Sequence, residues 1–490
     1  MSEEKKKTSL ARKAGIFTIS RAVSILAQLS AMIILSRSLP KEVYAQLQYL
    51  LLIYGTAQVV GQLGLPDSIF YFFEKYPPEK RRSLARYISR ILMYTALGSA
   101  LILFAIGWWG TSDAAYADAR PVLWMFMALV VLELPTVPVP NVLIALDKAT
   151  KAAAFNIFVG LTQFCAMTLP LLTDHPLHWI AVGLLCYGLL RMLVSAFLLR
   201  QNFAGQQLLP LPERFLRELL WYSVPLSLAQ LFWTLNRQVD KYVVKEFLSA
   251  QQYAEYSNGA WELPIIPTIA YSVAAVMMPQ MVSYFLKGDV NKLLELWLKS
   301  IKKVSVIVLP LVVFFLLASE EFVVMLFSEK YRASALPFFI YTFILLQRVA
   351  SYSNMQKALD VTREVTLGAI YLFAINALLV VPFVLWLGMA GPPLASVVAQ
   401  TFAWWYALDV IRKRLGVRFV EVFPFGFYGK TLLLAFAAAV PLYLLKQSWS
   451  LAPAEAFGLM ALGFFPLFFA LGRLFNVITA EDVKRVLRQK

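Results

Sequence analysis

Charged residues, cysteine and histidine are scarce in this 490-residue sequence. Charged residues account for 15% of the chain, whereas soluble domains carry about 25%, so an ordinary soluble multidomain enzyme is excluded. The two cysteines are too few for a disulfide framework, and no Cys-x-x-Cys or His-Glu-x-x-His motif occurs. Gly429-Lys430-Thr431 resembles the end of a phosphate-binding loop, but position 424 holds proline where that motif requires glycine. We therefore expect no metal site, no cofactor and no enzymatic activity.

Long apolar stretches dominate the sequence instead. Hydrophobic residues make up 60% of it, and a helix needs about 20 mainly apolar residues to cross a bilayer. Isolated strands would leave backbone groups unpaired in lipid, so each stretch is predicted to be a helix. The sequence thus predicts an all-α polytopic membrane protein with about 14 transmembrane helices. The predicted spans are residues 14–36, 43–65, 87–110, 121–146, 152–173, 178–200, 219–247, 253–279, 301–318, 335–359, 365–387, 392–412, 427–446 and 456–476.

The net charge of +16 would favour nucleic-acid binding in a soluble chain, but its distribution indicates membrane topology. Lysine and arginine gather in alternate loops, above all in 74–90, 287–303 and 412–430. Cytoplasmic loops of membrane proteins carry this excess. We therefore predict that the N- and C-termini are both cytoplasmic and that nucleic acid is not a partner.

The two halves of the chain resemble each other. ALDKATK at 145–151 matches ALDVTRE at 358–364, which lies 213 positions later, and each motif opens an apolar span. LPKEVYAQLQY at 39–49 matches LSAQQYAEYSN at 248–258, and the basic loops that follow correspond as well. Six spans per copy make the copies parallel, as in transporters with two lobes around a central cavity. The predicted domains are an N-terminal lobe with helices 1–6 (1–212), a C-terminal lobe with helices 7–12 (213–425), and helices 13 and 14 with a cytoplasmic tail (426–490).

This pattern resembles a known superfamily of exporters. The two six-helix lobes, the Tyr-Ala turns at 44–45 and 253–254, Asp240 and the terminal helix pair are similar to the multidrug/oligosaccharidyl-lipid/polysaccharide exporters. Within that superfamily the pattern is most similar to the polysaccharide (Wzx-type) flippases. The resemblance implies a bacterial inner-membrane protein that moves polyprenyl-pyrophosphate-linked oligosaccharide to the outer leaflet by alternating access. It also implies a cationic central cavity, and it makes membrane lipids, H⁺ or Na⁺, a polysaccharide polymerase and glycosyltransferases the candidate partners.

Three other functions stay open. Lipid II flippases resemble the chain in having 14 helices; Ser20-Arg21 matches the start of their first-helix pattern, but the later arginine is missing. Cation-coupled multidrug exporters have 12 helices and rely on carboxylates inside the membrane. A membrane glycan polymerase or ligase usually carries a large external loop, and none of the predicted external loops is long.

Ionisable residues inside the spans are the candidate functional residues, because charge is costly in lipid. Guanidinium groups bind phosphate oxygens bidentately, so four arginines are predicted to line the cavity and bind pyrophosphate. These four are Arg21, Arg191, Arg237 and Arg348, of which the first, second and fourth have no acidic neighbour in sequence. Arg237 and Glu262 are equally far from the turn between their helices, which predicts a salt bridge. The candidates for ion coupling or ion pairs are Glu133, Asp240, Lys241 and Glu262.

Prolines interrupt two of the predicted spans. Proline removes a helical hydrogen bond, and neighbouring helices can satisfy the freed carbonyl group inside a membrane. We expect kinks there, and a kink between two rigid segments is a candidate hinge. The residues concerned are Pro135, Pro138 and Pro140 in the fourth span, and Pro264 and Pro267 in the eighth.

Overall fold

Every regular element is a helix in the computed structural model, which describes residues 3–263, 265–448 and 451–478. Eleven helical segments of these ranges are long and apolar enough to cross a membrane. One of them, Thr362–Leu415, contains two successive helices. Two further helices, Lys41–Gln62 and Phe215–Phe247, have sufficient length and are more polar. The prediction of an all-α polytopic membrane protein is confirmed.

The chain forms two compact units, residues 1–238 and 239–490. The division falls inside a long helix, whereas the repeats predict a lobe boundary at 212/213, which stays a prediction. In the first unit α1 packs against α7, α2 against α4, and α5 against α4 and α8. Its helices are α1 Glu3–Ser38, α2 Lys41–Gln62, α3 Leu65–Lys75, α4 Arg81–Gly110, α5 Leu123–Glu133, α6 Val139–Ala145, α7 Ala149–Thr168, α8 Pro176–Asn202 and most of α9 Phe215–Phe247.

The second unit contains the remaining helices. They are α10 Ala250–Gly259, α11 Ile265–Leu286, α12 Val290–Leu317, α13 Ser319–Phe327, α14 Ala335–Thr342, α15 Tyr352–Ala358, α16 Thr362–Leu387, α17 Gly391–Leu415, α18 Phe419–Val422, α19 Phe425–Lys446 and α20 Pro453–Leu474. Within this unit, the packing is most extensive between α16 and α17 and between α12 and α19. Short 3-10 helices connect elements in both units at Pro78–Lys80, Ala114–Val122, Leu134–Thr136, Leu169–Leu172, Glu329–Ser334, Phe343–Gln347 and Gly388–Ala390.

The backbone repeats a distinctive turn in the two units. Asp147 and Asp360 adopt left-handed φ angles of 60° and 57°. Aspartate tolerates this region better than most residues, because its short side chain can bond locally to the backbone. The next helix begins two residues later in each case, as α7 and as α16. The two copies of the ALD motif therefore form the same turn.

The terminal pair α19 and α20 packs onto α12 through aromatic side chains. The ring of Phe314 lies 5.2 Å from Phe457, 5.7 Å from Phe464 and 5.1 Å from Phe465, measured between ring centroids. Lys446 at the end of α19 forms a salt bridge of 2.7 Å with Glu321 of α13. Van der Waals packing drives helix association in lipid, so these rings hold the added helices to the second unit.

Three predicted spans, the fourth, the eighth and the tenth, are broken into separate helices, and the break in the eighth separates α10 from α11. In the first unit a break at residues 134–138 separates α5 from α6, at the prolines identified in the sequence. In the second unit a break at residues 343–351 separates α14 from α15, although this stretch contains no proline. The breaks at 134–138 and 343–351 occupy equivalent places in the repeat. The duplicated fold therefore keeps the break, while only one copy marks it in the sequence.

Candidate functional site

A cavity of about 330 Å³, lined by polar and apolar residues in equal share, lies within the first unit. Ligand sites usually measure about 300–1,000 Å³, so this cavity can hold part of a polar head group. One of the four predicted arginines, Arg21 of α1, lines it. The other polar lining residues are Gln62, Asp67, Asn141, Asn156, Ser227, Gln230 and Thr234.

A break between α2 and α3 forms one wall of the cavity. Leu63 and Gly64 both have left-handed backbone, with φ angles of 47° and 68°. A Cβ atom on Gly64 would lie 2.5 Å from the carbonyl oxygen of Ser223, so α9 approaches this turn too closely for a side chain. Asn141 of α6 donates hydrogen bonds to the Pro66 carbonyl oxygen at 2.8 Å and to Asp67 Oδ1 at 3.2 Å. The turn therefore brings α3, α6 and α9 together around polar groups.

Helices α1 and α7 contribute Arg21 and Asn156 to another part of the lining. Ser24 Oγ donates to the Asn156 carbonyl oxygen at 2.8 Å, and Asn156 Nδ2 lies 3.5 Å from Ser20 Oγ. A Cβ atom on Gly160 would lie 2.8 Å from Ser24 Cα, which shows how closely the two helices pack. Small residues permit such packing in membranes. This contact positions Arg21 on the surface that faces the cavity.

The cavity combines a cation, a carboxylate and several amides. Arg21 can form two parallel hydrogen bonds with an anionic oxygen pair. Amide and hydroxyl side chains can donate to and accept from sugar hydroxyl groups. The arrangement suits a ligand with both an anionic and a hydroxyl-rich part. Of the polar lining residues, sequence reasoning identified only Arg21. Amides inside otherwise apolar spans were the available signal for the others, because an unpaired amide in lipid is costly.

Arg191 is paired with Glu133 in the first unit. Arg191 Nη1 lies 3.1 Å from Glu133 Oε2 and 3.0 Å from Tyr187 Oη. Glu133 is 3% exposed and also accepts hydrogen bonds from Tyr54 and Gln58. Arg191 has no acidic neighbour in sequence, but the fold brings Glu133, 58 positions away, next to it. The cavity role predicted for Arg191 stays a prediction.

Arg348 forms a bidentate pair with Glu262 in the second unit. Arg348 Nη2 lies 2.8 Å from Glu262 Oε1, and Arg348 Nε lies 3.2 Å from Glu262 Oε2. The predicted pairing of Glu262 with Arg237 is therefore wrong. The prediction assumed one continuous helix, whereas α10 ends at Gly259 and Glu262 lies in the connection that follows. Arg237 is exposed on α9.

Asp240 is fully buried and bonded to hydroxyl groups. It accepts hydrogen bonds from Tyr256 Oη at 2.7 Å and from Tyr341 Oη. Ser396 Oγ lies 3.3 Å from Tyr341 Oη. The backbone amide of Lys241, whose side chain is half-buried, also donates to Asp240 at 2.8 Å. Burial of a carboxylate costs free energy unless it is hydrogen-bonded, and three donors supply that compensation.

The predicted hinge prolines have different positions in the helices. Pro135 lies in the 3-10 helix after α5, Pro138 directly precedes α6, and Pro140 lies in the first turn of α6. Pro267 lies in the first turn of α11, where proline is tolerated without a kink. Pro264 lies outside the described residues. A hinge role for these prolines stays a prediction.

The sequence matches a known protein family, and the fold matches solved structures. The profile of the family described as polysaccharide biosynthesis protein matches residues 10–285, more than half of the chain. The chain belongs to this family. The resemblance predicted from the sequence is thereby confirmed. The search of curated proteins found no match.

Three solved transporters share the fold. The lipid II flippase MurJ, in an inward-closed conformation, has a TM-score of 0.74 at 16% identity over 94% of this chain and 98% of its own. An inward-facing multidrug resistance MATE family transporter of the MOP superfamily has a TM-score of 0.66 at 16% identity, over 80% and 94% of the two chains. A MOP superfamily transporter from Pyrococcus furiosus has a TM-score of 0.58 at 14% identity, over 84% and 96%. The likeness establishes a polytopic fold of about 14 helices.

Proposed function

We propose that this protein is a flippase that moves polyprenyl-pyrophosphate-linked oligosaccharide from the cytoplasmic to the outer leaflet of a bacterial inner membrane. Membership of the polysaccharide biosynthesis family supports the substrate class. The observation that carries the proposal is the cavity of the first unit, with Arg21 among amide and hydroxyl side chains. A lipid-linked pyrophosphate sugar has the anionic and hydroxyl-rich parts that such a cavity recognises.

In this proposal Arg21 binds the pyrophosphate and the amides bind the first sugars. The lipid tail stays in the bilayer, since a cavity of about 330 Å³ is too small for it. Alternating exposure of the site to the two sides of the membrane then moves the head group across. A polysaccharide polymerase would consume the product, and glycosyltransferases would supply the substrate.

The test is translocation of a polyprenyl-pyrophosphate oligosaccharide in proteoliposomes. Arg21→Ala removes charge-assisted hydrogen bonds worth about 1.5–3 kcal/mol, so we expect translocation efficiency to fall about ten- to hundredfold. Arg21→Lys keeps the charge but loses the planar fork, so its loss should be intermediate. Arg200→Ala is the matched control, because Arg200 is exposed in the last turn of α8 and does not line the cavity. Unchanged translocation in Arg21→Ala protein would contradict the proposed site.

Ion coupling is assigned to Asp240 in the same proposal. Among the described residues, the buried carboxylate accepts hydrogen bonds from two tyrosine hydroxyl groups and one backbone amide and forms no salt bridge with a guanidinium group. Binding of H⁺ or Na⁺ would therefore neutralise its charge directly. Asp240→Asn should abolish the dependence of translocation on the ion gradient while leaving substrate binding to detergent-purified protein unchanged. Gradient-dependent transport by this variant would exclude Asp240 as the coupling residue.

Lipid II is the second candidate substrate. The observation that favours it is the match of 94% of the chain to the fold of a lipid II flippase. Both substrates carry a pyrophosphate, so Arg21 can bind either of them. Selectivity between the two must therefore come from contacts to the sugars. Competition between lipid II and an undecaprenyl-pyrophosphate oligosaccharide for binding to the purified protein distinguishes the two.

A further inference from the structure

A second cavity, of about 480 Å³, lies at the start of α4 in the first unit. Arg86 and Arg90 line one side of it, one helical turn apart on α4. The chain after α8 lines the other side with apolar residues. Among the described residues, the lining consists of Ser83, Arg86, Tyr87, Arg90, Leu208, Leu209, Leu211, Pro212 and Glu213.

Hydrogen bonds fix the chain after α8 against α4. Arg82 donates to the carbonyl oxygen of Gln206, and the amide of Leu209 donates to Ser83 Oγ at 2.8 Å. Arg81 donates two hydrogen bonds to the carbonyl oxygen of Phe73, at 3.1 and 3.2 Å. Arg81 and Arg82, the first two residues of α4, thus attach α4 to the end of α3 and to the chain after α8. Arg86 and Arg90 form no ion pair among the described residues, and both are exposed at the cavity.

The cavity has the two chemical parts of a phospholipid site. Two guanidinium groups face an apolar surface on which Leu208 is 46% exposed. The apolar segment Pro78–Gly110 begins just before these arginines, so the cavity lies at the edge of a membrane span. Tyr87, between the two arginines, is of the residue type enriched at membrane interfaces. In the part of the chain that the structure describes, the lining contains one carboxylate, that of Glu213, and two guanidinium groups.

The second unit provides an internal comparison. With the register of the ALD motifs, Arg86 and Arg90 correspond to Lys299 and Lys303, both exposed on α12. In the same register, residues 208–212 correspond to 421–425. The apolar residues Val422 and Phe423 of that segment are buried, with exposed fractions of 0% and 1%. Trp297, also 1% exposed, donates to the Val422 carbonyl oxygen at 2.9 Å. The same charge spacing therefore occurs without the open apolar surface.

We propose that the cavity at the start of α4 binds an anionic phospholipid of the surrounding leaflet. Its phosphate lies between the guanidinium groups of Arg86 and Arg90. Its acyl chains lie along Leu208, Leu209 and Leu211. This site is separate from the Arg21 cavity and does not depend on the transported substrate.

Native mass spectrometry of the purified full chain tests the proposal, with phosphatidylglycerol and phosphatidylcholine as competing probes. Basic residues near an anionic surface contribute about 1 kcal/mol each, so Arg86→Ala/Arg90→Ala should weaken phosphatidylglycerol retention about thirtyfold. Lys299→Ala/Lys303→Ala removes the same charge at the equivalent positions of the other unit and should retain the lipid as wild type does. Equal loss in both double variants would overturn the proposal, because it would indicate a general effect of charge.

A further variant separates loss of the site from loss of the fold. Leu208 is exposed, so Leu208→Asp should leave the fold intact and repel the phosphate, with retention reduced as in the double arginine variant. Wild-type retention by Leu208→Asp protein would overturn the placement of the lipid. Excess inorganic phosphate should not displace phosphatidylglycerol, whereas full displacement would show a site for free phosphate and refute the lipid assignment.

Discussion

The buried pair of Arg191 and Glu133 gives the sharpest prediction about stability. Arg191→Met keeps an unbranched apolar stem and removes the charge, which leaves Glu133, among the described residues, with hydrogen bonds from Tyr54 and Gln58 only. Glu133 is 3% exposed, so water cannot replace the lost partner. Adding Glu133→Gln removes the stranded charge and keeps an oxygen that accepts the tyrosine hydrogen bond.

The magnitudes follow from burial. Removing one partner of a buried ion pair costs about 3–5 kcal/mol. We expect about 3 kcal/mol for Arg191→Met, at the lower end because two donors remain, and about 1 kcal/mol for the double variant. Arg348→Met is the matched control in the second unit. The side chains of Arg348 and Glu262 are 20% and 22% exposed, so its cost should be smaller, about 1 kcal/mol.

The assay is the free energy of unfolding in mixed micelles, followed by circular dichroism during titration with dodecyl sulfate. Equal destabilisation in the single and double variants would refute the reasoning, since rescue by Glu133→Gln is its central claim. Translocation by the rescued double variant answers a second question. Full activity would identify the pair as structural, and loss of activity in a stable protein would support the cavity role that the sequence predicted for Arg191.

Two further predictions concern the backbone and pH. Gly64→Ala places a side chain on left-handed backbone against the Ser223 carbonyl oxygen. Thermal denaturation should therefore show that the free energy of unfolding falls by at least about 1–2 kcal/mol. Gly98→Ala is the control and should be neutral or stabilising, because a Cβ atom there meets nothing within 4 Å. Hydrogen bonds from Lys75 and Tyr76 lower the pKa of the Glu218 carboxyl below 4.5. Its contribution to stability is therefore present above pH 4.5 and lost as the pH falls through the folded-state pKa. Wild type and Glu218→Gln should differ at pH 7, and this difference should shrink as the pH falls below 4.5. A difference that grows as the pH falls would contradict this assignment.

The sequence predicted the helical spans well because hydropathy measures transfer into lipid, which each span must satisfy by itself. The break at the prolines of the fourth span was predictable for a similar reason, because proline acts locally. The break at 343–351 was missed, because it contains no such residue. Its geometry depends on packing between α14, α12 and α17, which no local pattern records.

The side-chain partners were predicted less well than the elements. Arg191 and Glu133 are on α8 and α5, and their pairing requires the packing of those two helices. Arg237 was predicted to pair with Glu262 because both residues would lie at the same depth on continuous helices. Helix α10 ends at Gly259, so Glu262 does not lie on such a helix. Arg21 was identified because a charge in a span is rare, whereas amides such as Asn156 are individually unremarkable and become a site only when several helices bring them together.

The two helix breaks have different consequences for mutational robustness. At 134–138 the interruption is secured by several prolines, and a single substitution leaves the others in place. At 343–351 it rests on side-chain contacts, among them the bidentate pair of Arg348 with Glu262. The two units therefore keep the same break by different means, through local backbone restriction in one and through contacts between distant residues in the other.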